Sequence, residues 1–240
     1  MIDGLPFYVT LLFILTVLFT FWLFSKIIRN RTVLLLLTFW LLITGVLAFN
    51  KFFAAFDSKP PRFFLVVIIP LITIIFSLIN PRTSAFINKL SLRKLVILSI
   101  VRIPVEGVLY LLFLYAQIPR LMVFTGRNFD ILAGLSAPII YFICFRGEQV
   151  RKRTILMIWH VIALALLLNI VVNALFSAPF SFQQFGFEQP NRAVFYFPFI
   201  WLPGFIVMAV LFSHFVSIKA LIVRRRFQNR TDESSIQLQK

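Results

Sequence analysis

Long apolar runs separated by short clusters of Lys and Arg make up most of the chain. Seven of them approach the ~20 apolar residues a helix needs to cross about 30 Å of hydrocarbon. They cover roughly 5–28, 33–51, 62–80, 94–117, 129–146, 154–177 and 196–219. The fifth is the shortest: its uncharged stretch runs only from Ile131 to Phe145, and Pro138 is expected to kink it. The pattern predicts an all-α fold, a polytopic membrane bundle of seven transmembrane helices spanning 1–223. A short polar cytoplasmic tail, 224–240, follows. The first run is uncharged from Gly4 to Ser25, no Lys or Arg precedes it, and no small-residue cleavage site follows it. It therefore reads as an uncleaved first helix with its N-terminus outside.

Charge placement tests this threading. With the N-terminus outside, the inner segments hold seventeen Lys and Arg and the outer segments six, and Arg102 lies within the fourth segment. That bias favours an odd number of crossings and a cytoplasmic C-terminus. Composition agrees: 60% of residues are hydrophobic and 13% charged, against about 25% charged in soluble domains. A soluble enzyme and a disordered chain are both excluded. The net charge of +16 comes from clusters between apolar runs, so it points to topology and anionic headgroups, and no nucleic acid partner is expected. Cys144 is the one cysteine, so neither an intrachain disulfide nor a Cys-based metal site can form.

Ionisable groups at membrane depth are costly and mark candidate sites. The fourth segment carries Arg102 and Glu106 in VRIPVEGVLY. Their i, i+4 spacing puts both on one face and suggests an ion pair between them, and Tyr110 extends the stripe. Pro104 leaves the Ile100 carbonyl without its helical partner. His160 and His214, on the sixth and seventh segments, sit at matched depth from the inner face. That is the arrangement a bis-histidine haem b needs; otherwise the imidazoles hydrogen-bond between helices. No cofactor is expected unless haem is present, and no metal site beyond these histidines. Asn169 and Asn173 form a second stripe on the outer half of the sixth segment, on a face nearly opposite to His160. Asp130 lies in GRNFD, beside a long outer connection, Ala178 to Phe195, crowded with Phe. That connection reads either as an aromatic belt or as a lid.

Family patterns narrow this further. Retinal proteins need a Lys in the middle of the seventh helix, and here the first is Lys219 at its inner end. Pro104-Val105-Glu106 resembles half of the Pro-x-Glu-Glu motif of membrane-embedded carotenoid cyclases, but Gly107 replaces the second Glu. A broader resemblance is to an uncharacterised family of seven-helix bacterial inner-membrane proteins. It is carried by RIPVEGVLY (102–110), GRNFDILAG (126–134), SAPFSFQQFGFEQPNRAVFYFPFIWLP (177–203) and LFSHFVSI (211–218). The resemblance implies a multi-pass protein of the bacterial cytoplasmic membrane and no known activity.

The leading expectation is a pocket among the fourth to seventh helices that binds or carries a small amphipathic or lipid-like ligand. Arg102, Glu106, Tyr110, Asp130, His160, Asn169, Asn173 and His214 are its candidate contacts. An intramembrane enzyme acting on a lipid or isoprenoid, with Glu106 as general acid, is the alternative. A haem protein and a structural subunit stay open. Membrane lipids are the expected partners, and the oligomeric state is open.

Overall fold

The computed structural model describes Ile2 and residues 4–237, with side chains as far as Val223. The polar character expected of 224–240 lies outside the described side chains. The first helix, α1 (Phe7–Ile28), ends where Arg29 takes a left-handed conformation (φ 49°) and returns its N–H to Ser25. Asn30 then caps α2 (Arg31–Phe49), its side chain accepting from the Val33 N–H at 3.1 Å. These two residues make the α1–α2 turn tight.

Next comes α3 (Phe64–Ile79), with Pro70 inside it. Asn80 stops α3 in an extended conformation and caps α4 (Pro81–Ile87), which has proline at its first position. The chain bends by 90° there. The fourth apolar run is one span, Leu92–Leu114, made of α5 (Leu92–Leu98), a 3₁₀ turn (Ser99–Val101) and α6 (Arg102–Leu114). A short α7 (Ile131–Cys144) leads into a hairpin, β1 (Phe145–Arg146) and β2 (Gln149–Val150), turning at Gly147. Then follow α8 (Arg153–Phe176), a long connection, a π-helical turn (Leu202–Ile206) and α9 (Val207–Gln237).

Among the described residues, five helices are long and apolar enough to cross a membrane, and six if the bent α3–α4 pair counts as one span. The expected fifth, α7, has 14 residues and is about 21 Å long at 1.5 Å per residue.

Burial is distributed as in a lipid-solvated bundle. The span Leu202–Val223 is 67% buried and α2 only 17%, so α9 is the central pillar and α2 lies at the rim. Large apolar side chains point outward from α1, α2 and α3, among them Leu36, Phe39 and Phe76. A surface this apolar belongs against hydrocarbon or another protein.

The outer connection is sewn to the bundle. Gln189 donates to the Phe113 and Ile118 carbonyls, and Asn191 to the Ala174 carbonyl. Phe195 is fully buried and meets Phe63, Phe56 and Phe180 at centroid distances of 4.7, 5.1 and 5.3 Å. Phe180, Phe195 and Phe199 are therefore core residues of the outer end, and Phe187 alone of the connection's aromatics projects far outward, at 69% exposure.

Candidate functional site

Arg102 stands at the first position of α6, just after the 3₁₀ turn. The residue is 2% exposed. It does not pair with Glu106, as the i, i+4 spacing suggests. One terminal nitrogen donates to Asp130 Oδ1 at 2.7 Å and to the Ala163 carbonyl of α8 at 3.1 Å. The other lies 2.6 Å from His214 Nε2 on α9. Glu106 bonds instead to the side-chain amide of Asn128, which also donates to the Met122 carbonyl at 3.1 Å. The shared face of Arg102 and Glu106 is as expected. Both point at the segment entering α7, where Asn128 and Asp130 wait two residues apart.

That meeting depends on small residues. On α7, a Cβ at Gly134 would lie 3.2 Å from the Arg102 Cβ and 3.0 Å from Ile103 Cγ1. Ala133 and Ala137 are buried on the same helix. This small-residue face brings α6 and α7 together within the chain. Asp130 is the residue immediately before α7, so the partial positive charge of the helix N-terminus also favours its carboxylate. Its own N–H donates to Asn128 Oδ1 at 3.0 Å, which fixes the segment's conformation.

The two histidines meet. His160 Nδ1 lies 2.9 Å from His214 Nδ1, and the ring centroids are 5.2 Å apart at an interplanar angle of 76°. Trp159 packs edge-on against His160 at 4.9 Å and lies 5.9 Å from His214. Its indole N–H donates to Ser136 Oγ at 2.9 Å. Two imidazoles in direct hydrogen bond leave no space between them for an iron and its macrocycle. The arrangement therefore does not fit the bis-histidine haem that their matched depth suggests.

Donor inventory fixes the direction of this chain. A guanidinium only donates, so His214 Nε2 accepts. His214 then carries its proton on Nδ1 and donates to His160 Nδ1. His160 in turn carries its proton on Nε2. That N–H is buried, with the whole residue at 0% exposure, and has no protein partner. Glu106 Oε2, Ser99 Oγ and Ser217 Oγ are also buried without a partner.

The remaining candidates lie elsewhere. Tyr110 is half-buried and packs on Phe124 at 5.2 Å, outside the cluster. Asn169 donates to the Arg127 carbonyl at 2.8 Å, and Asn173 to Asn169 at 3.2 Å. They anchor the outer loop on the other face of α8. Sequence reasoning left Asn128 and Trp159 out of the candidate set. The Asn-x-Asp spacing of Asn128 and Asp130 is the signal for the first; nothing local marks the second.

Long apolar helices with outward-facing hydrophobic surface, closed around a buried ion pair, define the class of multi-pass helical membrane proteins. Within that class the chain belongs to a family described as a domain of unknown function, DUF8737, whose model matches residues 60–222. All residues of the cluster, from Arg102 to His214, fall in the matched part. No curated protein and no solved structure matches the chain.

Proposed function

We propose that the protein binds a small amphipathic, lipid-like molecule carrying a carbonyl group, and holds that group at the His160 end of the buried polar chain. The observation behind this reading is the His160 Nε2–H, a donor that is fully buried and lacks a protein partner. A buried donor left unpaired costs about 1–3 kcal/mol, and an ester, ketone or acid oxygen would recover that. Arg102, held by Asp130, sets the tautomer of both histidines and so keeps the donor aimed. A neutral imidazole oriented in this way polarises a carbonyl without giving up a full proton.

The same reading takes the chain as a bacterial cytoplasmic-membrane protein with seven crossings. The bent α3–α4 pair is the third crossing, and α7 with its buried entry segment is the fifth. The N-terminus is then outside and the C-terminus cytoplasmic, which puts the Lys- and Arg-rich segments on one side. A second reading gives Glu106 the role of general acid on a lipid or isoprenoid. Its support is the Glu106 Oε2, buried at 1% residue exposure and unbonded.

The test is mass spectrometry of organic extracts from purified protein, wild type against a folded His160→Phe variant. A carbonyl-bearing amphiphile retained by the wild type and lost from the variant is expected. Its infrared carbonyl band should lie lower when bound than free. Equal retention by both proteins overturns the reading. Turnover of an added lipid that depends on Glu106 selects the enzyme instead.

A further inference from the structure

A second site lies across α9 from the histidines. Met208, Ala209 and Phe212 of α9 are roughly 120–160° around the helix from His214, at 3.6 residues per turn. They line a cleft of about 490 Å³ that α1, α2, α3 and α4 complete. That volume falls in the range of small-ligand sites, about 300–1,000 Å³. Leu36 and Phe76 stand at its rim with 64% and 60% exposure. The cleft therefore opens sideways, where the bundle faces hydrocarbon.

Its walls offer no free polar group from their side chains. Trp40 Nε1 donates to the Gly204 carbonyl at 3.0 Å, Thr73 to Ile69 at 2.8 Å, Ser77 to Ile74 at 2.7 Å and Thr83 to Ser77 at 2.8 Å. What the cleft offers an occupant is apolar contact along its length. The frame around it is fixed. Gly204, in the π-helical turn, lets that turn approach α3 closely, for a Cβ there would lie 2.6 Å from Val66 Cγ1. Lys219 of α9 donates to the Leu78 carbonyl and to Ser84 Oγ, which pins the α3–α4 corner.

One end is cationic. Ile28 and Val33 line the cleft, and the turn between them carries Arg29 and Arg31. Thr83, Phe86 and Ile87 line the same end from α4, and Arg82 precedes them. All three arginines are exposed, and none bonds a carboxylate among the described residues. An apolar slot open to hydrocarbon with three uncompensated cations at one end matches one kind of occupant.

We propose that this cleft seats an acyl chain of an anionic glycerophospholipid, with its phosphate held among Arg29, Arg31 and Arg82. The site uses none of the residues of the buried polar chain and stands independently of the His160 reading.

The experiment is native mass spectrometry of delipidated protein in mild detergent. Phosphatidylglycerol, phosphatidylcholine of the same chain length, and glycerol 3-phosphate are titrated separately. Wild type is expected to bind phosphatidylglycerol most tightly and glycerol 3-phosphate not measurably. Arg31→Gln and Arg82→Gln should each weaken phosphatidylglycerol about fivefold and phosphatidylcholine less, since the choline cation of the latter offsets the same phosphate charge. Ala209→Phe, which fills the cleft, should weaken both lipids. His160→Phe should alter neither. Equal binding of the two lipids by wild type, or tight binding of glycerol 3-phosphate alone, overturns the proposal. The arginines are surface residues, so the outcome does not depend on whether Ala209→Phe folds.

Discussion

Replacing Asp130 by Asn tests the buried cluster at its electrostatic centre. The substitution keeps the volume and an oxygen that Arg102 can still reach, and removes only the charge. Arg102 is 2% and Asp130 6% exposed, and their atoms meet at 2.7 Å. Removing one partner of such a pair leaves the other charge uncompensated and costs about 3–5 kcal/mol, which is roughly two to four orders of magnitude in the folded-to-unfolded ratio. The double variant Arg102→Met with Asp130→Asn should be more stable than Asp130→Asn alone. It buries no charge from this pair, and its remaining cost is the unpaired His214 Nε2, about 1–3 kcal/mol. Unfolding by SDS in mixed micelles, followed by circular dichroism, measures both. A cost below about 1 kcal/mol for Asp130→Asn, or a double variant as unstable as the sum of the singles, would refute the argument, because coupled residues must depart from additivity.

Other substitutions probe single links. His214→Leu strips partners from Arg102 and His160 together, and should destabilise by about 2–4 kcal/mol in the same unfolding assay. Gly107, inside α6, has open space where a Cβ would go, so Gly107→Ala should stabilise by about 0.5–1 kcal/mol. Gly126→Ala should do the opposite, since its Cβ would fall 2.1 Å from the Arg120 carbonyl oxygen; the folded yield in detergent should drop sharply. Haemin added to purified protein should give no low-spin bis-histidine spectrum, because the imidazoles bond each other. Single cysteines at Thr125 and Glu148, exposed on either side of α7, in a Cys144→Ala background, should label from opposite sides of sealed cells if α7 is a crossing.

Much of the scaffold was legible because hydrocarbon thickness dictates run length. The apolar runs at 5–28, 33–51 and 154–177 agree with α1, α2 and α8 to within about two residues at each end. The third also agrees with α3, but its sharp turn into α4 did not announce itself, since Asn80-Pro81 reads as an ordinary loop. The last span begins at Leu202, in the π-helical turn and six residues after the expected start, because the aromatic run from Tyr196 looks helical by hydropathy yet packs as irregular chain.

At the site, depth was readable and partnership was not. Counting residues from the inner boundary put the two histidines level, and they touch. Arg102 was matched to its sequence neighbour Glu106, while its partner Asp130 comes 28 positions later on another helix. Only the packing of α7 on α6 at Gly134 decides that choice, and one sequence does not display packing. The cleft beside Phe212 escaped notice for a related reason. Its walls come from five separate stretches of chain, each of which alone reads as an ordinary lipid-facing helix.

In the seven-crossing reading proposed above, the brevity of α7 has a mechanical consequence for the surrounding bilayer. A helix of about 21 Å falls roughly 9 Å short of a 30 Å hydrocarbon slab, and the polar segment 126–130 that precedes it would occupy the missing depth. Beside α7 the lipid would then thin and its headgroups sag inward, an elastic cost of a fraction of a kcal/mol for each ångström of mismatch. Beside the 22-residue α1 no such demand arises. A protein threaded in this way would be a wedge in thickness rather than a cylinder, and bilayers of shorter acyl chains should accommodate it at lower strain. Its stability in reconstituted membranes should rise as the chains are shortened toward the length α7 can span.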